Sequence, residues 1–416
     1  MSLAIRFLLK NRALRFPHFR KFLTQRFCLI LALNMQTTII AYWIYLITGD
    51  VVSVGKLGLF EAIPAIGCSF FTGHLVEQRE KRTLLLRCIS AYVLLAVFYC
   101  GLAFFEGSHH LPMSWQTGLI YGGVFAGGMI RAFVSPSSFS LLGLLIPRRL
   151  YANGATWSST SWQAGGIMGP LLAGLFIAAI GIKWSIAAVV PFELVALVLM
   201  FSIPRQAILK KVKEPVLQSV KEGLKFIRHT PIILTALLLD MFAVLLGGAT
   251  ALLPAYAKDV LDVGEIGFGW LRAAPGIGAI LMYIGLSFSP LKNKPGAKMA
   301  LAIAGYGICI IIFGISTSFV LSFIVLVASG ALDSISVVVR GIILQLYTPD
   351  EMRGRVSAVN TMFVSSSNEL GEVESGYTAH WFGLKRAVLL GGFATIIVVS
   401  IAWAKSKALR KLKFEG

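Results

Sequence analysis

The chain has 416 residues, of which 56% are hydrophobic and only 14% charged, with a mean hydropathy of +0.78. Soluble domains run roughly 45–50% apolar, so this composition excludes an ordinary water-soluble fold and points to lipid. The formal net charge of +19 would suit a nucleic-acid binder, but the placement of that charge argues against one.

Apolar stretches of about 20 residues, the length that crosses a hydrocarbon core at 1.5 Å per residue, recur along the chain. They predict twelve membrane-spanning helices over 22–47, 53–76, 83–105, 116–142, 152–179, 183–204, 231–256, 265–289, 298–317, 319–347, 357–380 and 384–404. The first stretch is too long for a cleaved signal peptide and lacks a small-residue cleavage site, so it is expected to be retained. Of the 38 Lys and Arg, about 30 fall on the side of the N-terminus. Five fall on the other side (Lys56, Lys183, Lys258, Lys385, Arg386) and three inside spans (Arg131, Arg272, Arg340). This bias predicts that both termini are cytoplasmic in a bacterial inner membrane, with lipids and not nucleic acid as the partners of the basic residues.

The first span carries Asn34, Gln36, Tyr42 and Trp43, and the fifth carries Trp157, Trp162 and Gln163. These residues are candidates for a cavity wall suited to an amphipathic, aromatic cargo, or alternatively for packing and an interfacial belt. Cys28, Cys68, Cys88, Cys100 and Cys309 all fall in spans without a CxxC pair, so they read as small core residues and not as disulfides or metal ligands. His109 and His110 fall in the external loop between the third and fourth spans, where solvation is the simpler reading. No nucleophile with an adjacent base, metal cluster or nucleotide-binding GxxxxGK[ST] is present, so neither an enzyme, a metal, a cofactor nor direct ATP drive is expected.

A basic segment over 205–230 separates six spans (1–204) from six (231–416). Within it, Val216, Leu217, Val220, Leu224 and Ile227 recur at helical spacing and predict an interfacial amphipathic helix. The halves repeat in sequence. GLFEAIPAIG (Gly58–Gly67) aligns without gaps on GWLRAAPGIG (Gly269–Gly278), and AGGMIRAF (Ala126–Phe133) on ASGALDSI (Ala328–Ile335), each of the latter pair reaching Pro147 or Pro349 at the same spacing. Two ordered anchors indicate duplication. The alignment swaps charges: Glu61 stands opposite Arg272, and Arg131 opposite Asp333. Intramembrane charges demand partners, so Glu61 is expected to pair with Arg131, and Arg272 with Asp333, as static struts or as mobile charges.

Proton coupling requires a carboxylate that can take up a proton inside the membrane. Asp240, ten residues into the seventh span, leads the candidates, with Glu61, Asp333, Glu193, Glu369, Glu372 and Glu374 behind it. Glu369 and Glu372 share one helix face, where mutual repulsion favours holding a proton. Arg340 offers the competing possibility of neutralising them.

Several motifs carry a resemblance. GHLVEQREKRTLLL from Gly73, with Glu77 and Arg82, is similar to the loop signature of the major facilitator superfamily. LQLYTPDEMRGRVSAVNTMFVSSSNELGEVESG (Leu344–Gly376), LRAAPGIGA, IRAFVSP and MGPLLAGL resemble its branch of siderophore and drug exporters. Gly165, Gly169, Pro170 and Gly174 resemble the antiporter motif GxxxGPxxGG, which as bare physics is a helix-packing seam. The resemblance implies an all-α fold of two pseudosymmetric six-helix bundles with a substrate site between the halves. It implies a monomer that moves a small solute against protons: an exporter of a siderophore-like or amphipathic molecule or, alternatively, a symporter importing an iron–siderophore or other small solute. Gly73, Glu77, Arg82, Gly165, Gly169 and Pro170 would act in gating. In TPDEMRGRV, the acids after Thr348 would cap a short loop helix, and Arg353 and Arg355 would meet the cytoplasmic surface.

Overall fold

The computed structural model describes residues 12–108, 112–147, 150–206, 216–288, 294–349, 352–410 and 412; His109, His110, Asp350 and Glu351 lie outside these segments. Among the described residues all regular structure is helical. The main helices are α1 (Pro17–Thr48), α2 (Val51–Gln78), α3 (Lys81–Ser108), α4 (Met113–Leu145), α5 (Tyr151–Ala187) and α6 (Val189–Phe201). After the amphipathic α7 (Val216–His229) come α8 (Pro231–Gly247), α9 (Gly264–Phe288), α10 (Pro295–Ile315), α11 (Phe319–Tyr347), α12 (Arg353–Phe382) and α13 (Leu384–Lys405).

Ten segments are long and apolar enough to cross a membrane. Two of the twelve expected spans fall outside that set for different physical reasons. The sixth is cut short because Gly181, at φ 73° and ψ 171°, breaks the run from Tyr151 to Ala187 into two helices. Its second part continues through Ala188 into the 13-residue α6. The eleventh forms as the 30-residue α12, but Arg353, Arg355, Glu369, Glu372 and Glu374 make it the most polar of the long helices.

Local chemistry sets the ends. Proline occupies the first turn of α8 and α10, where its missing N–H costs nothing. Asp50 caps α2, accepting from the backbone N–H of Val52 at 3.1 Å and of Ser53 at 3.0 Å. Gly383, at φ 86°, turns the chain between α12 and α13 in a single residue.

The chain divides into two compact units, 1–40 with 63–213, and 41–62 with 214–416. In the first, α3 packs on α4, α5 and α6, and the buried Tyr99 lies flat against Gly123. In the second, α11 packs on α9 and α10, α13 on α10 and α8, and α12 on α8 and α7. The end of α1 and the start of α2 belong to this second unit. There Tyr42 donates to Glu265 at 3.2 Å and stacks on Phe268 at 5.3 Å, while Tyr45 donates to Asp259.

The contact of α9 with α11 is made backbone to backbone. A Cβ on Gly330 would collide with the Pro275 carbonyl oxygen, and one on Gly278 with the Val327 carbonyl oxygen. Lipid tails are as apolar as leucine, so helices in a bilayer gain mainly from close packing, which small residues permit. Because the obstructing atoms are backbone, no rotamer change relieves them. Gly330→Ala is therefore expected to destabilise the purified protein by about 1–3 kcal/mol, read as a lower Tm. Gly285→Ala, also on α9 but in open space, should leave Tm unchanged or slightly raised.

Candidate functional site

The C-terminal unit gathers the intramembrane charges. Asp240 interrupts the apolar run PIILTALLLDMFAVLLG and is 4% exposed. Ser336 and Arg340 stand one turn apart on α11 and face it together. Arg340 donates to Asp240 Oδ2 in a buried ion pair, and Ser336 Oγ donates to Oδ1 at 3.1 Å. This corrects the expectation that Arg340 neutralises Glu369 and Glu372, since its charge is matched on α8 instead. Ser336 was missed in the sequence because a serine one turn before an arginine carries no signal until its partner helix is known.

A second cluster forms around Arg272, whose electrostatic partners are Glu372 and Glu61. The expected pair of Arg272 with Asp333 does not form. Gly55 and Gly58 have no side chains, so α12 settles on α2, with Glu372 Oε2 2.9 Å from where a Cβ on Gly58 would be. Glu372 and Glu61 are both brought near Arg272 in this way. Asp333 lies instead beside Tyr306 and Tyr283. Arg131 belongs to the other unit. Glu369 is buried on the same helix as Glu372, and Glu374 accepts from Thr378 at 2.7 Å.

Between these clusters α8 stops. The predicted span ran unbroken over 231–256, but the helix ends at Gly247, and Gly248 is extended. The chain resumes as a short 3-10 turn, a helical turn and a π turn over Thr250–Val260. Carbonyls freed by such a break need donors inside lipid. Tyr306 donates to Gly247 O at 2.9 Å, Ser375 to Gly248 O at 2.5 Å and Thr395 to Ala243 O at 3.4 Å, so three helices supply hydroxyls to one break. The Gly-Gly pair in LLGGATALLP was the legible signal for it.

In the N-terminal unit, Gly165 and Gly169 press α5 onto α1, and a Cβ on Gly169 would come 2.7 Å from Asn34 Cβ. Asn34 donates to Ile30 O at 2.8 Å, so it belongs to this seam and not to an open wall. Pro170 is buried beside it. Gln36 is also buried, with Oε1 lacking a partner among the described residues. Trp157 and Gln163 are half-buried, Trp162 is 49% exposed, and Trp43 is buried within the other unit. Both carboxylate oxygens of the fully buried Glu193 lack a hydrogen-bond partner among the described residues.

Gly73 falls within α2, and the side chain of Glu77 lies outside the described residues. Glu80 caps α3. It accepts from the backbone N–H of Thr83 at 2.7 Å and Arg82 at 3.1 Å, and from Gln206 N–H at 3.0 Å beyond α6. Burial works against its charge, but the hydrogen bonds from Thr83, Gln206 and Arg82 prevail and hold Glu80 below the ordinary value of 4.5. Arg82 donates to Phe201 O at 2.7 Å and stacks its guanidinium on the Phe201 ring, tying the first turn of α3 to the end of α6. Among the described residues no group of three metal-ligating side chains occurs, and all five cysteines are free.

A family model described as the Major Facilitator Superfamily matches residues 22–372. The chain is 22% identical to the enterobactin exporter EntS of Shigella boydii serotype 18 over 404 residues, covering 92% of this chain and 90% of that protein. The same figures hold for EntS of Escherichia coli O1:K1. Among solved structures, a D-xylose–proton symporter aligns with TM-score 0.72 at 14% identity, covering 96% of this chain and 100% of that one. A nucleoside transporter, NupG, aligns with TM-score 0.73 at 9% identity, covering 93% and 99%.

Two predictions follow from the geometry. Replacing Arg340 by Met leaves Asp240 uncompensated in the protein interior and should cost about 3–5 kcal/mol, whereas Arg340→Met with Asp240→Asn should regain much of it; Tm of the single and double variants checks this. For Glu80, the depressed folded-state value means its stabilisation is complete above about pH 4.5 and fades as pH falls through that lowered value. Glu80→Ala should cost about 0.5–2 kcal/mol at neutral pH. Thermal unfolding against pH should then lose part of its acid limb.

Proposed function

This chain belongs to the Major Facilitator Superfamily and is a multi-pass membrane transporter, not an enzyme; we propose that it is a proton-coupled exporter of a siderophore-like or amphipathic small molecule. The observation that carries the reading is the similarity to enterobactin exporters along 92% of the chain. The glycine-proline seam of α5 on α1 supports export, because it has the form of the antiporter motif. The excess of Lys and Arg on the N-terminal side supports an inner-membrane protein with cytoplasmic termini.

For coupling, Asp240 exchanges partners. In one state its carboxylate is bound by Arg340 and Ser336. In the other, a proton from the external side binds the carboxylate, and the Arg340 guanidinium is released to move with α11 or to meet an anionic cargo group. A proton and a guanidinium competing for one carboxylate make proton entry and cargo release mutually dependent. The break at Gly247–Gly248 supports this assignment, since it sits two turns beyond Asp240 on the helix that would have to move.

Mass spectrometry of cell pellet and spent medium, from iron-starved cells with and without the gene, tests direction and cargo together. Export requires a small aromatic or chelating compound to shift from medium to pellet on deletion, and Asp240→Asn to reproduce that shift. If the medium is unchanged and an added iron chelate no longer enters the mutant, the protein imports and the proposal fails.

A further inference from the structure

Where α7 runs into α8, the C-terminal unit forms a half-open surface cavity of about 760 Å³, within the roughly 300–1,000 Å³ typical of ligand sites. Its apolar lining is Leu224, Ile227, Leu234 and Phe363, drawn from α7, α8 and α12. Its polar lining is Lys225, Arg228 and His229, all from the last turns of α7. The cavity therefore combines an apolar floor with a basic rim.

The helix that forms it is held rigidly. Glu222, the one acid of VLQSVKEGLKFIRH, is bound by Arg355 at 2.5 Å, so Arg355 anchors α7. Gly223 lets α7 approach the Arg355 carbonyl, and Val220 and Ile227 are buried in the core of the unit. With Glu222 so engaged, Lys225 and Arg228 remain exposed and without an ion pair among the described residues. Between them Leu224, on the apolar face expected to meet the membrane interface, is 43% exposed. His229 in its lining stands two residues before Pro231, where a candidate membrane span begins, so headgroup depth is expected, on the side the charge bias predicts to be cytoplasmic.

We propose that this cavity binds one anionic glycerophospholipid, its phosphodiester on Lys225 and Arg228 and an acyl chain along Leu224, Ile227, Leu234 and Phe363. Charge complementarity selects the headgroup, and the exposed Leu224 among cations is explained by the chain that covers it. A soluble anion would leave the apolar floor wet. A zwitterionic lipid would bring its own cation against Arg228.

Native mass spectrometry of the delipidated full-length protein, titrated with phosphatidylglycerol or phosphatidylcholine, tests this. One phosphatidylglycerol should bind tightly, and Lys225→Ala with Arg228→Ala should weaken it about 30-fold, equivalent to ~1 kcal/mol for each cationic contact. Lys221→Ala, an exposed cation of α7 outside the cavity, should bind as the wild type, and inorganic phosphate should not compete. Equal binding of the two lipids, an unchanged affinity in the double variant, or an equal loss in Lys221→Ala would overturn the proposal. If the double variant fails to purify, single Lys225→Gln and Arg228→Gln variants, each expected about fivefold weaker, decide instead.

Discussion

The ion pair of Asp240 with Arg340 is the interaction on which the C-terminal unit turns. A lone charge at mid-membrane costs at least about 2.5–3.5 kcal/mol, so neither residue is tolerable there without the other. Their union fixes the register of α8 against α11. Once that register is set, the end of α8 falls where Tyr306, Ser375 and Thr395 meet it, and a broken helix becomes affordable inside lipid. The pair, the break and the hydroxyls form one device, because removing any of them leaves a polar group without a partner.

Close approach of backbones supplies the complementary constraint. In a bilayer, leucine against leucine gains little over leucine against lipid, so specificity comes from where glycine lets two helices touch. Gly278 and Gly330 set α9 on α11, Gly165 and Gly169 set α5 on α1, and Gly55 and Gly58 admit Glu372 of α12 onto α2. The last contact has an electrostatic result. It brings two carboxylates to Arg272 that no reading of a single helix would have grouped.

Much of the fold was legible from hydropathy alone, because a membrane span is a length and a composition. The departures fall where a helix is defined by something else. The sixth span is bounded by the positive φ of Gly181, the seventh is stopped by a glycine pair, and the eleventh carries Arg353, Arg355, Glu369, Glu372 and Glu374 along a helix whose length alone marks it as a span. At the site, the repeat alignment paired Arg272 with Asp333, whereas the electrostatic partners of Arg272 are Glu372 and Glu61. Homology between halves preserves positions in a fold, whereas pairing depends on which side chains the third helix contributes. Glu80, which was not among the sequence candidates, meets the N–H groups at the start of α3, because a capping side chain shows itself only once the helix end is known.

The charge swap between halves then has a physical reading. Two copies of one six-helix sequence must diverge if one is to keep a buried charge cluster that the other does not need. Asp333 shows the divergence: its repeat mate is an arginine, and its electrostatic neighbours are Tyr283 and Tyr306 instead of Arg272. Arg272 is thereby free to hold Glu61 and Glu372, two carboxylates from helices at opposite ends of the sequence. One guanidinium thus serves two carboxylates, while Arg340 is matched to Asp240.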